Sequence, residues 1–157
     1  GAAPVSGYEG KYFMRWAVTT AGTGFTDLRI EQRVEDVRTL AGQTVTLSFW
    51  AKSTANSVLP AVGLRQMFGT SGSADVDYLS GTVPLSTTWT RYSFTFNLGS
   101  MSGKTIGAAN NDYLNVMIKI PINTTCSVDI WGVQLEAGSI ATPWSRSEPT
   151  IASEIAA

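Results

Sequence analysis

Residues 43–53, QTVTLSFWAKS, alternate: Val45, Leu47, Phe49 and Ala51 fall on one side, and Thr44, Thr46, Ser48, Trp50 and Lys52 on the other. A period of two is that of an extended strand with one buried face. The pattern returns in WTRYSFTFNL (89–98), where Tyr92, Phe94, Phe96 and Leu98 oppose Trp89, Arg91, Ser93, Thr95 and Asn97. It returns again in YLNVMIKI (113–120), with Leu114, Val116, Ile118 and Ile120 set against Tyr113, Asn115, Met117 and Lys119. Fainter versions at 11–20, 27–34, 58–68, 74–80 and 127–136 bring the expectation to about eight strands, separated by Gly, Ser, Asn and Pro clusters. Pro60 makes the start of the 58–68 strand a bulge or an edge. The one stretch with helical spacing is VEDVRTLAG (34–42), where Val34, Val37 and Leu40 share a face and Gly42 offers a stop. Segments 54–57, 69–73 and 99–112 are loops, the last long enough to carry function. Short strands at this spacing predict an all-β, two-sheet antiparallel sandwich with one short helical turn.

Composition narrows the chemistry more than it narrows the fold. The 157 residues are 43% hydrophobic, enough for one domain with a true core. No apolar run approaches the roughly 18–20 residues of a membrane span, so membrane insertion is not expected. Net charge is −1, and the 11 Lys and Arg are scattered, which gives a nucleic-acid partner little electrostatic basis. With no histidine and a single cysteine, Cys126, the chain offers no Cys–His dyad, no Ser–His–Asp triad and no zinc site of the usual ligands. Cys126 reads as a reduced, buried side chain.

IEQRVEDVRTLAGQTVTLSFWAKS (30–53) and IWGVQLEAGSIATPW (130–144) resemble motifs of the carbohydrate-binding-module-like β-sandwich of bacteriophage tail fibre and tail spike proteins. The resemblance runs over residues 12–144 and implies a jelly-roll-like sandwich on a virus particle, assembled in the host cytoplasm and carried on an extracellular virion. It also implies two departures. The family's opening strand and its following segment have no counterpart, so residues 1–136 are expected as the sandwich and 137–157 as an extended strap towards a further segment. Carbohydrate modules of this shape often hold a structural Ca²⁺, with Asp129 at the matching acidic position. Its partner ligands would come from the absent opening segment, so no cofactor is expected.

Sugar binding on a sandwich face needs an exposed aromatic ring to stack on a pyranose, with polar side chains nearby for its hydroxyls. Trp50, beside Lys52, and Trp131 occupy polar-facing positions, although a covering loop would make both structural. Arg65, Gln66, Asn115 and Lys119 are the polar candidates; Trp50 and Lys119 would form a cleft if they lined one face. Glycosidases need two carboxylates, one of them kept protonated by an apolar setting. Glu31, Glu35 and Asp36, or Asp75 and Asp77, are the available groups, and none sits in an apolar run, so no enzyme is expected. GTGFTD (22–27) reads as a hairpin turn rather than a phosphate loop.

The functional expectation is therefore a tail-fibre-like virion module binding host cell-surface glycans without catalysis. The alternative is a structural virion module, such as a fibre spacer, a trimer interface or a capsid decoration domain, packed against other virion subunits, homotrimeric copies among them. Trp144 offers the strap an anchor, and TIASEIAA (150–157) has the spacing to begin a helix. The sequence thus ends as if at a joint, and it opens on GAAPVSG without an initiator Met.

Overall fold

The apolar faces of the three clearest alternating segments meet in one core, and the rest of the chain is arranged around that contact. The computed structural model describes residues 3–8, 10–24, 27–34 and 36–145. Within them run β1 (Met14–Val18), β2 (Arg29–Val34), β3 (Thr44–Ser53), β4 (Val58–Leu59), β5 (Val62–Met67), β6 (Val76–Leu79), β7 (Val83–Pro84), β8 (Thr90–Asn97), β9 (Tyr113–Lys119) and β10 (Cys126–Ala137). Sheet A has the order β1-β10-β3-β8 and sheet B the order β2-β9-β5-β6, and every pairing is antiparallel. This is the expected jelly-roll-like sandwich. Val45, Leu47, Phe49, Ala51, Val128 and Ile130 of sheet A pack against Val62, Leu64, Leu114, Val116 and Ile118 of sheet B. Each Leu, Ile or Phe buried in this way contributes about 1.5–3 kcal/mol, so burying these alternate positions fixes which way each strand faces. Cys126 is reduced and buried.

Two local expectations are corrected. Among the described residues there is no helix: segment 36–43 is a chain of separate turns, in which the amides of Thr39, Ala41 and Gln43 bond to the carbonyls of Asp36, Arg38 and Leu40. Leu40 (φ 60) and Gly42 (φ 74) stand in the left-handed region, which interrupts a right-handed helix. Val37 is nevertheless fully buried, and Leu40 packs on the core, so the apolar face of the turn was correctly placed. The 58–68 strand is divided at Pro60: β4 pairs only with β7, in a two-stranded ribbon, and β5 starts afresh at Val62. The two-residue β7 had no visible alternation.

In β10 the register slips by one residue. Trp131 pairs with Trp50, but Gln134 pairs with Ser48, so three steps on β10 match two on β3. This is a β-bulge, and Gly132 absorbs it at φ 63. A Cβ on Gly132 would lie 3.3 Å from both Trp50 and Trp144. Gly132→Ala therefore combines left-handed strain with aromatic crowding; we expect it to lower unfolding stability by about 1–3 kcal/mol in chemical denaturation.

Candidate functional site

Because the core takes one side of each sheet, the chemistry is divided between two outward faces on opposite sides of the sandwich. On sheet A the outward positions of β3 are Thr46, Ser48, Trp50 and Lys52, and residues 138–145 cross over them. Thr46 Oγ1 donates to the Gly138 carbonyl at 2.7 Å. The Thr142 carbonyl accepts from Arg91, while the Thr142 amide donates to Glu136 and its hydroxyl accepts from Gln134 Nε2 at 3.0 Å. Trp144 closes on Trp131 with ring centroids 4.8 Å apart. From the other end of the chain, Tyr8 sets its ring edge-on against Trp50 at 6.1 Å and Trp131 at 5.1 Å. Gly10 passes so close to the Trp131 indole that a Cβ there would lie 2.4 Å from Nε1.

Trp50 and Trp131 thus form a second, smaller aromatic core. Trp131 is 6% exposed, and Trp50 Nε1 is buried without a partner. As stacking candidates both are corrected in favour of the covered alternative: two large rings on an outward face create apolar surface, and the terminal segments cover it. Burial pushes the Glu136 carboxyl up, but bonds from Thr142 and Gln134 and the field of Arg91 together hold it below the ordinary carboxylate range.

Lys52 lies at the margin of the same face. Its Nζ is 3.8 Å from Asp129 and 5.2 Å from the Trp89 ring centre. Asp129, whose side chain is 2% exposed, receives both prongs of Arg15, at 2.7 and 2.9 Å. The structural Ca²⁺ implied by the resemblance does not fit here. Calcium takes six to eight oxygen ligands, several of them carboxylate, whereas this place offers one carboxylate already held by two cations. Among the described residues no three His, Cys, Asp or Glu gather into a metal-binding group.

Sheet B presents a different outward face. Alternation along β9 turns Tyr113, Asn115, Met117 and Lys119 outward, and the pairing sets Arg33 and Arg65 on either side of Asn115. Arg29 pairs with Asp27 and Glu31, Lys119 with Asp27, and Arg65 with Asp77 through two prongs, the second at 2.7 Å. Beneath this layer Met117 is fully buried and Asn115 is 2% exposed, with its Oδ1 unbonded. Arg33 has no carboxylate partner among the described residues, and its guanidinium lies 4.5 Å from the Tyr113 ring centre.

At that end the face deepens into a depression of about 430 Å³ lined by Arg33, Met67, Gly69, Thr70, Asp75, Asn111 and Tyr113. The volume lies within the range of small-ligand clefts. The Asn111 side chain fixes the 69–73 loop beside it, accepting from the Thr70 amide at 3.0 Å and donating to the Thr70 hydroxyl at 2.9 Å.

Of the residues singled out from sequence, Arg65, Asn115 and Lys119 share the outward face of sheet B, while Trp50, Lys52 and Trp131 lie on the opposite side of the molecule. No cleft joins Trp50 to Lys119. Gln66 is corrected as well: it follows Arg65 and so points inward, 1% exposed, donating to the Gly99 carbonyl and accepting from the Tyr78 hydroxyl at 2.8 Å. Arg33, Thr70, Asp75, Asn111 and Tyr113 were missed as a group. Tyr113 alone was legible, since it shares the parity of Asn115 and Lys119.

Among the carboxylates, Glu31 and Asp77 are ion-paired, and Asp36 accepts from the Arg38 amide. Glu35 lies outside the described residues. The hydrogen bond from Arg65 holds Asp77 below its ordinary range; burial opposes this, and the charges of Arg65, Lys119 and Arg29 assist it. A depressed pKa stabilises the fold above the unfolded value, and the effect is lost as pH falls through the folded one. Asp77→Asn should therefore melt below the wild type at pH 7, with the gap closing as the solution is acidified below about pH 4.

No protein-family model matches the sequence, and no curated protein does. Solved structures do match the fold. The N-terminal cellulose-binding domain of Cellulomonas fimi β-1,4-glucanase C superposes with a TM-score of 0.60 at 14% identity, covering 88% of both chains. A family 16 carbohydrate binding module-2 gives 0.52 at 16% identity, over 85% of this chain and 82% of that one. The enzymatically active domain of bacteriophage CBA120 tailspike protein 4 gives 0.55 at 14% identity, over 87% of this chain and 17% of that one. The chain therefore has a carbohydrate-binding-module-like β-sandwich, a fold that also occurs in a phage tailspike.

Proposed function

We propose that the chain is a non-catalytic glycan-binding module of a phage virion, tail-fibre-like in placement, and that it holds host cell-surface polysaccharide on the outward face of sheet B. The observation that carries this reading is the open depression at Tyr113, with donors and acceptors from Arg33, Thr70, Asp75 and Asn111 around one aromatic ring and the apolar Met67. Sugars are recognised by that combination, with an apolar surface for C–H groups and convergent polar groups for hydroxyls. The paired state of Glu31 and Asp77, with Asp77 held in its ionised form, supports the non-catalytic reading, because a glycosidase needs one carboxyl kept protonated. The likeness of fold to carbohydrate-binding modules supports the ligand class, and the likeness to a tailspike domain supports the virion setting. A single shallow site binds on the order of millimolar, and repeated copies on a fibre convert that to useful avidity.

A structural virion role is the second reading, favoured by one observation. Tyr12 is 85% exposed, and Phe13, Met14 and Val133 are each more than 40% exposed; these four line one shallow apolar surface at the edge strand β1. Such a surface suits packing against neighbouring virion subunits.

A multivalent display of the protein on a glycan array tests the first reading. The wild type should bind a defined set of oligosaccharides, and Tyr113→Ala and Arg33→Ala should each weaken that binding about tenfold or more, one such factor being worth about 1.4 kcal/mol. Binding that survives both substitutions would place the ligand elsewhere, and an array without binding would leave the structural reading.

A further inference from the structure

Arg15, Asp129 and Lys52 stand directly opposite one another on three neighbouring strands. Arg15 of β1 pairs in register with Asp129 of β10, and Asp129 pairs in register with Lys52 of β3. Together with Ser53, Thr54 and Thr87 they line a polar hollow of about 230 Å³ on the outward side of sheet A, remote from the depression at Tyr113. The Asp129 side chain is 2% exposed, and a carboxylate taken out of water to that degree calls for a partner to offset its lost hydration. Carbohydrate modules of this shape often hold a structural calcium ion, and Asp129 stands at the matching acidic position.

We propose that in this chain Arg15, backed by Lys52, supplies from within the sequence the positive charge that a bound divalent ion would bring, so that the sandwich folds and holds its edge strand independently of calcium.

Three features carry the assignment. The guanidinium meets both oxygens of Asp129, at 2.7 and 2.9 Å, and so takes the bidentate edge that a calcium ion would use. Lys52 Nζ, at 3.8 Å, adds a second positive charge, which repels any divalent ion entering the hollow. Other contacts hold both cations in place: Arg15 lies 5.5 Å from the Phe13 ring centre and Lys52 5.2 Å from that of Trp89, and the Phe13 and Trp89 rings meet edge to face at 5.5 Å. Each cation is thus held on Asp129 and beside a ring, although the Arg15 side chain stays 53% exposed at the sheet surface. Since β1 is an edge strand joined, among the described residues, to β10 alone, the side-chain clamp reinforces that ladder.

The test is thermal melting of the whole chain in millimolar CaCl₂ and in excess EDTA, for the wild type and three variants. The wild type should melt at the same temperature in both solutions, and calcium titrated into it should give no binding heat. Arg15→Gln should lower Tm by on the order of 10 °C, because it leaves the buried carboxylate stranded with Lys52 alone, at 3.8 Å and without a two-pronged contact. Adding Asp129→Asn to Arg15→Gln should recover a good part of that loss, since the stranded charge is then gone. Arg15→Lys should fall between Arg15→Gln and the wild type, keeping the charge but not the two-pronged contact. Should Arg15→Gln fail to fold, a folded double variant supports the proposal and an unfolded one contradicts it. A wild type that calcium stabilises, an Arg15→Gln variant that melts like the wild type, or a double variant no better than Arg15→Gln would each overturn it.

Discussion

Moving a strand by one residue against its sheet turns every side chain to the other face. Phe49 and Leu47 are fully buried between the sheets, and with Val45 and Ala51 they fix the phase of β3. Pairing then transmits that phase outward: β8 and β10 are registered on β3, and β1 on β10. Across the core, Leu114, Val116 and Ile118 do the same for sheet B, setting β2 and β5 against β9. Everything on the outward faces follows from this phase. Asn115 faces the outside because Leu114 and Val116 do not, and Gln66 faces the inside because Arg65 does not.

The two outward faces meet the same problem in different ways. A sheet surface bearing Trp50 and Trp131 is too apolar to leave in water, and Tyr8, Gly10 and the 138–145 crossing cover it. A sheet surface bearing guanidinium–carboxylate pairs is already satisfied, and among the described residues no segment crosses it as 138–145 crosses sheet A. The covered face is a structural device, and the other carries the depression at Tyr113 beside its ion pairs. The same division separates the two clusters of charge: the Arg15–Asp129–Lys52 clamp ties strands together, whereas Arg33 and Asp75 line a depression without pairing to each other.

The strand phases were legible because burial imposes a period of two on the residues themselves. The inward and outward sets of 43–53, 89–98 and 113–120 emerge as the alternation places them. What the sequence concealed lies where another interaction overrides that period. The bulge at Gly132 changes phase inside IWGVQLE, so that Trp131 faces outward and Leu135 inward although both positions are odd. The left-handed backbone at Leu40 breaks the turn that its apolar spacing would have made helical. Which aromatic rings are open depended on where segments distant in sequence cross, and no local pattern encodes that: Tyr8 and Trp144 lie 42 and 94 residues from Trp50. Arg33, Thr70, Asp75 and Asn111 come together from one strand and two loops; the strand parity of Tyr113 and the length of the 99–112 loop were readable, but not their meeting.

On the proposed reading, recognition belongs to the open face of sheet B and not to the tryptophans of sheet A. Nuclear magnetic resonance titration of the isotopically labelled protein with an oligosaccharide it binds reads the two faces separately in one experiment. Shifts should concentrate on the backbone of Arg33, Thr70, Asn111, Tyr113 and Asn115, with the indole N–H signals of Trp50 and Trp131 unmoved. Shifts centred on those two indoles, with sheet B silent, would contradict that reading.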